Sequence, residues 1–217
     1  MMGLIRRKTV WTLTRKGWGL LLTSLLTLFL FILLNIHPFL APTAPISAEA
    51  LVVEGWIPDY AVAEAMAEFE QGSYQILITT GVELPKGSYL STYKNMAELT
   101  AATLLELGFD GNQLVVIPVI ETVKVNRTLA AAKAVENWLK TTDLQVKRLN
   151  LYTFGPHARR SWIIFKKALT PSVQIGVIAV PPQDYEVDRW WLSSQGVRVV
   201  IGEVIAYLYT CFIRWTY

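Results

Sequence analysis

Apolar and polar positions divide this chain into two stretches with different periodicities. Residues 18–36 carry no charge and are mostly Leu, Phe and Ile. That run of about 19 residues, at 1.5 Å per residue, crosses a hydrocarbon core of roughly 30 Å. From residue 50 onward, short apolar runs alternate with amphipathic stretches. The runs at 50–56, 75–81, 113–119, 147–155 and 173–180 are rich in Val, Ile or Leu, as strands buried on both faces are. Between them, 59–71, 92–107, 127–140 and 156–169 read as helices. In the third, Leu129, Ala132, Val135 and Leu139 recur at helical spacing on one face, with Lys133 and Glu136 towards its margin. Strands alternating with helices predict right-handed crossovers and an α/β fold, a doubly wound and mainly parallel five-stranded sheet.

A last helical pattern runs over about 197–215. Arg198 and Glu203 interrupt its apolar stripe of Ile201, Val204, Ile205, Leu208 and Phe212. The uncharged remainder, about ten residues, is too short for a second span, so this segment is expected to pack on the sheet. Pro38, Pro42 and Pro45 mark 37–49 as an extended stalk, because proline lacks the donor a helix needs. The expected order is a basic N-terminus at 1–17, a transmembrane helix at 18–36, the stalk at 37–49 and the α/β domain at 50–217.

Charge assigns the two ends to opposite sides of a membrane. Arg6, Arg7, Lys8, Arg15 and Lys16 all precede the apolar run, and the first acidic residue is Glu49. The net charge of +3 therefore becomes −2 once those five are set aside. Basic flanks stay in the cytoplasm, which translocates the domain, and Trp11 and Trp18 suit the cytoplasmic interface. A cleaved signal peptide, cut near Ala48 or Ala50, is the competing reading. Its apolar region would be unusually long. A mildly acidic domain has no electrostatic footprint for nucleic acid.

Cys211 is the one cysteine, so no intramolecular disulfide can form, and its apolar setting reads as a small core residue. The chain has two histidines and lacks the glycine-rich signatures of P-loop, dinucleotide and serine-hydrolase sites. No metal site and no cofactor is indicated.

Ligands of open parallel sheets bind beyond the carboxyl ends of the strands. Here that rule selects Glu54 and Gly55, Thr80 and Gly81, the Asn126-Arg127-Thr128 segment, and 155–160. At the last junction, Gly155-Pro156 suits a helix start, and His157, Arg159 and Arg160 crowd the first turn. Free N–H groups and two guanidinium groups there would suit a phosphate or carboxylate. The positive helix end favours a neutral His157 able to accept a proton. The plainer alternative has the arginines pairing with surface acids and His157 packing. Asn126 is a plausible cap, with Arg127 behind it. Glu54 and Glu203 sit in apolar surroundings, where a carboxylate needs a partner: a ligand, Arg127 or Arg160. Trp190 and Trp191 belong either to a loop over the site or to packing against the last helix.

Several segments in this order resemble the SanA/ElyC/YdcF family of bacterial envelope-associated proteins. They are Leu51-Val52-Val53-Glu54-Gly55, Ile78-Thr79-Thr80-Gly81, Asn126-Arg127-Thr128-Leu129, the stretch from Thr153 through His157 to Ser161, and Glu203 before Tyr207. Glu-Gly-Trp stands where many members have a Gly-rich loop. The resemblance implies a Rossmann-like fold on an N-terminal anchor in the bacterial inner membrane, with the domain outside the cytoplasm. It also implies links to peptidoglycan and lipid-carrier metabolism, and it implies no particular reaction.

Two functions follow as expectations. In the first, Arg127, Thr128, Arg159 and Arg160, with Gly55, Thr80, Gly81 and Glu203, bind a phosphorylated or other anionic ligand, free or lipid-linked. His157 then acts as acid or base with Glu54, in a hydrolase or transferase. In the second, the same site holds a ligand without turnover, as a sensor or scaffold.

Overall fold

A computed structural model describes residues 10–87, 89–120 and 122–212. Arg6, Arg7 and Lys8 of the basic N-terminus, and the end of the last predicted helix, lie outside the described residues. The chain forms two compact units, residues 1–36 and 37–217.

The first unit holds most of α1 (Arg15–Leu40), a helix long and apolar enough to cross a membrane. Its leucines and phenylalanines are exposed all round, as in a helix solvated by hydrocarbon. The helix runs farther than the sequence pattern predicts. It continues through Pro38 to Leu40, and His37 and Leu40 are buried within the second unit.

In the second unit, β1 (Ala50–Glu54), β2 (Ile76–Gly81), β3 (Leu114–Pro118), β4 (Arg148–Phe154) and β5 (Gln174–Val180) form one all-parallel sheet in the order β3-β2-β1-β4-β5. The crossovers are α2 (Asp59–Gln71), α3 (Met96–Glu106), α4 (Arg127–Thr141) and α5 (Ala158–Leu169). The fold is Rossmann-like and doubly wound, as the strand–helix alternation predicts. Strand positions alternate between faces. Leu51, Val53 and Leu77 pack with Val62, Phe69 and Leu104 of α2, α3 and their surroundings. Val52, Ile78 and Leu151 pack with Val135 of α4 and Phe165 of α5. Covering both faces explains why the central strands read as continuous apolar runs.

The predicted stalk is not extended away from the domain. Ala44 forms an antiparallel bridge to Val177 of the edge strand β5, with N···O distances of 2.8 and 3.2 Å. The Asn150 side chain accepts from the Ile46 N–H at 2.9 Å and donates to its carbonyl at 2.8 Å. Gly176 leaves room for this: a Cβ there would lie 2.0 Å from Asn150 Oδ1. Residues 41–49 thus cap a sheet edge that would otherwise present unpaired backbone.

The last helix, α6 (Ser194–Phe212), rests on α5 and on two short 3-10 segments, Gly155–His157 and Val187–Leu192, rather than mainly on the sheet. Cys211 is exposed, contrary to the core position expected. An apolar sequence around it was no guide to burial, because α6 turns much of its apolar surface outward.

Candidate functional site

The strand order reverses between β1 and β4: β2 and β3 lie to one side, β4 and β5 to the other. Helices diverge at such a switch point and leave a crevice beyond the strand ends. A cavity of about 710 Å³ lies there, lined by Glu54, Thr80, Gly81, Arg127, Thr128, His157, Arg160 and Glu203 among others. The geometry follows from register. Glu54 pairs with Thr80 across β1 and β2, and Val53 with Tyr152 across β1 and β4. Thr80, Glu54 and Thr153 therefore form a row on the α4–α5 face of the sheet.

Glu54 is 2% exposed. It accepts hydrogen bonds from the Thr153 hydroxyl and from Ser161 Oγ, the latter 3.0 Å from both carboxylate oxygens. Hydroxyls rather than arginines satisfy this buried acid. Ser161 is one helical turn beyond His157, which brings both side chains to the same end of the sheet.

His157 sits between two groups of opposite character. Its Nδ1 is 3.0 Å from Glu203 Oε1 and 2.7 Å from Arg160 Nη2. Arg160 also holds both Glu203 oxygens, through Nε at 2.8 Å and Nη2 at 3.0 Å. Burial alone would raise the Glu203 carboxyl. Hydrogen bonds and positive charge from His157 and Arg160 outweigh it and pull the group down to about 2. The other ring nitrogen, Nε2, is buried without a hydrogen-bond partner among the described residues, 3.8 Å from Glu54 Oε2. That separation is too long for a hydrogen bond. The Trp56 ring meets the imidazole edge to face, with centroids 4.7 Å apart.

This placement supports two proton arrangements with the same heavy-atom positions. With its proton on Nδ1, donated to Glu203, the neutral ring presents Nε2 as a base. With its proton on Nε2, Nδ1 accepts from Arg160 and the ring presents an acid. Either way the open valence is Nε2, which general acid–base chemistry requires.

The cationic side of the cavity differs from expectation. Arg160 is engaged with Glu203. Arg159 lines no part of the cavity: its Nε donates to the Phe39 carbonyl, and its guanidinium lies 4.0 Å from the Phe39 ring centroid. The cause is helical geometry, which sends adjacent residues of α5 to different faces. Arg127 and Lys124 line the cavity, and neither has an ion-pair partner among the described residues. Asn126 takes a left-handed backbone conformation (φ 57°, ψ 38°), and its side chain does not cap α4 as expected. The first N–H groups of that helix lack partners within the helix. The Thr80 hydroxyl, buried on the same cavity wall, is also without a hydrogen-bond partner among the described residues.

Gly55 does not line the cavity either. A Cβ there would lie 2.5 Å from the Met96 carbonyl oxygen, and one at Gly81 would lie 2.7 Å from Met96 Cβ. These glycines admit the start of α3, and the Thr100 hydroxyl donates to the Gly55 carbonyl at 2.8 Å. Trp190 is buried and packs against Trp191, while its backbone approaches Gly196 of α6; neither tryptophan lines the cavity. Sequence reasoning missed Lys124, which lies in a loop with no periodic signal, and the part played by Trp56.

No family model matches the chain, and no curated protein does. Among solved structures it is similar to an NADPH-bound carbonyl reductase from chicken fatty liver, at 15% identity and a TM-score of 0.34 over 63% of this chain and 52% of that one. It is also similar to a mutant form of enoyl thioester reductase from Candida tropicalis, at 11% identity and a TM-score of 0.31 over 85% and 50%. The chain thus covers about half the length of each.

Proposed function

We propose that this protein is a membrane-anchored member of the SanA/ElyC/YdcF group that binds a phosphorylated ligand and transfers its phosphoryl group to water or an acceptor hydroxyl. The observation that carries the reading is the buried, unpartnered Nε2 of His157, backed by Glu203 and Arg160 and facing a cavity at the switch point. The phosphate lies against Lys124, Arg127 and the first N–H groups of α4, where the helix end favours negative charge. Nε2 takes the proton of the attacking hydroxyl, a new P–O bond forms as the leaving-group P–O bond breaks, and the proton passes to the leaving oxygen. Glu54, 3.8 Å away, supplies negative charge where the ring becomes positive. The basic flank supports a cytoplasmic N-terminus with the domain on the other side, and the family resemblance supports the inner membrane of a bacterium. A lipid-linked envelope intermediate suits a site tethered to the bilayer.

The test is thermal shift and phosphate release on the full-length protein in detergent, with phosphorylated sugars, nucleotides and prenyl phosphates. A ligand that binds the native state raises the melting temperature by mass action. The expected result is a shift abolished by Arg127→Ala and retained by His157→Ala, with turnover lost in both. A shift without turnover in the unaltered protein would move the assignment to a sensor or scaffold. No shift with any anion, or turnover unchanged in His157→Ala, would overturn the proposal.

A further inference from the structure

The cavity accounts for one face of α6, through Gln195, Glu203 and Thr210. It leaves the opposite face unexplained. Ile201, Ile205, Leu208 and Phe212 recur at helical spacing and are 47%, 64%, 46% and 82% exposed. No charged residue follows Glu203 on this helix. A helix facing water carries polar residues on its outer side, and a contiguous apolar stripe marks an interaction surface.

Its neighbour identifies what covers it. Tyr207, on the same helix, packs edge to face on Phe39 at 5.4 Å between centroids, and Arg159 holds the Phe39 carbonyl. Phe39 lies three residues beyond Ile36, where His37 and Pro38 interrupt the continuous apolar run, still within α1. Three helical residues span about 4.5 Å. The headgroup layer on each side of a bilayer is roughly 5–7 Å deep. Chain connectivity therefore keeps Phe39, and the turn of α6 that packs on it through Tyr207, within a few residues' reach of the headgroup layer. Tyr207, Tyr209 and Phe212 are the amphipathic and aromatic residues that interfaces favour.

We infer that the exposed apolar face of α6 lies in the interfacial layer of the membrane that holds the anchor. It acts as a second contact beside the covalent tether. Interfacial helices bury their apolar side about 5–10 Å into the headgroup and acyl boundary. Tyr209 lines the cavity and is also exposed on α6, so one wall of the cavity stands at the membrane surface. An amphiphile could then place an anionic head in the cavity while its tail stays in lipid. This inference rests on the membrane-anchor part of the proposed function and is independent of the chemistry at His157.

The test uses the full chain in phosphatidylethanolamine/phosphatidylglycerol vesicles, with Cys211→Ser removing the native thiol. Single fluorophores are attached through Ile205→Cys, through Leu25→Cys in the anchor and through Lys140→Cys at the exposed end of α4. Nitroxide lipids, labelled at the headgroup or along the acyl chain, and aqueous iodide are the quenchers. The label at 205 is expected to be quenched by headgroup nitroxide and to be roughly fivefold less open to iodide than the label at 140. Equal iodide access at 205 and 140 would overturn the inference. So would shielding from iodide without nitroxide quenching, which would show a protein covering the stripe. A label at 25 untouched by acyl-chain nitroxide would remove the membrane anchor itself, and a label at 25 that is quenched isolates any failure to α6.

Discussion

Strand β1 is bounded by two glutamates, and their surroundings differ in kind. Glu49, just before the strand, forms an ion pair with Arg148 at the start of β4 and accepts from the backbone N–H groups of Lys147 and Arg148 at 3.2 and 2.7 Å. Both carboxylate oxygens there accept hydrogen bonds, and the cluster ties β1 to β4 where no ligand site is expected. Glu54, at the carboxyl end, is buried among hydroxyls, with an unsatisfied imidazole nitrogen 3.8 Å away. A network that only stabilises closes its valences, since each buried open one costs about 1–3 kcal/mol. The open valence at His157 distinguishes the second end, and the proposed function rests on it.

Four substitutions or conditions sharpen this contrast. The largest effect is expected from Glu54→Gln. It keeps the shape and the hydroxyl contacts, so it should lower turnover by roughly 10²–10⁴-fold while melting near the unaltered protein; unchanged turnover would reduce Glu54 to a packing role. Next, Arg160→Met leaves Glu203 facing His157 without its guanidinium. Chemical denaturation should show a loss of about 3 kcal/mol, as for a partly buried pair broken on one side.

Acid should act on the same group. The Glu203 carboxyl titrates near 2 in the folded chain, against 4.5 for the free group. Because the folded value is depressed, its stabilisation is fully present above pH 4.5 and is lost as pH falls from 4.5 towards 2. That loss amounts to on the order of 2–3 kcal/mol, and Glu203→Gln should flatten the corresponding part of the stability–pH curve. The smallest effect belongs to the other end of β1. Glu49→Gln should cost about 1 kcal/mol, because its partner is largely solvated, and should leave ligand binding and turnover untouched. A turnover defect there would erase the distinction between the two ends.

The sheet was legible because its cause is local and repeated. Strands covered on both faces read as apolar runs, and crossover helices read as amphipathic ones. Both appear at the predicted places to within a few residues, and α2 spans the predicted 59–71. The site was partly legible for the same reason: strand ends locate a crevice, so Glu54, Thr80, His157, Arg127 and Glu203 meet at one cavity. The direction of each side chain was not. Arg159 and Arg160 are adjacent in sequence, yet one turns to Phe39 and the other to Glu203. Gly55 serves a helix rather than a ligand. Residues 37–49 read as an extended stalk from three prolines; 37–40 instead finish α1, and 41–49 form a strap on β5, because an unpaired strand edge competes for their backbone groups.

By itself, the sequence determined the membrane-length helix, the α/β alternation and the strand ends where chemistry can gather, since each depends on short-range periodicity and charge. Only the tertiary structure decided which cations face the cavity, which acid orients the histidine and which nitrogen is left open. Those outcomes depend on contacts between residues 43 to 46 positions apart, such as Arg160 and His157 with Glu203, and no local pattern encodes the rotation of one helix against another.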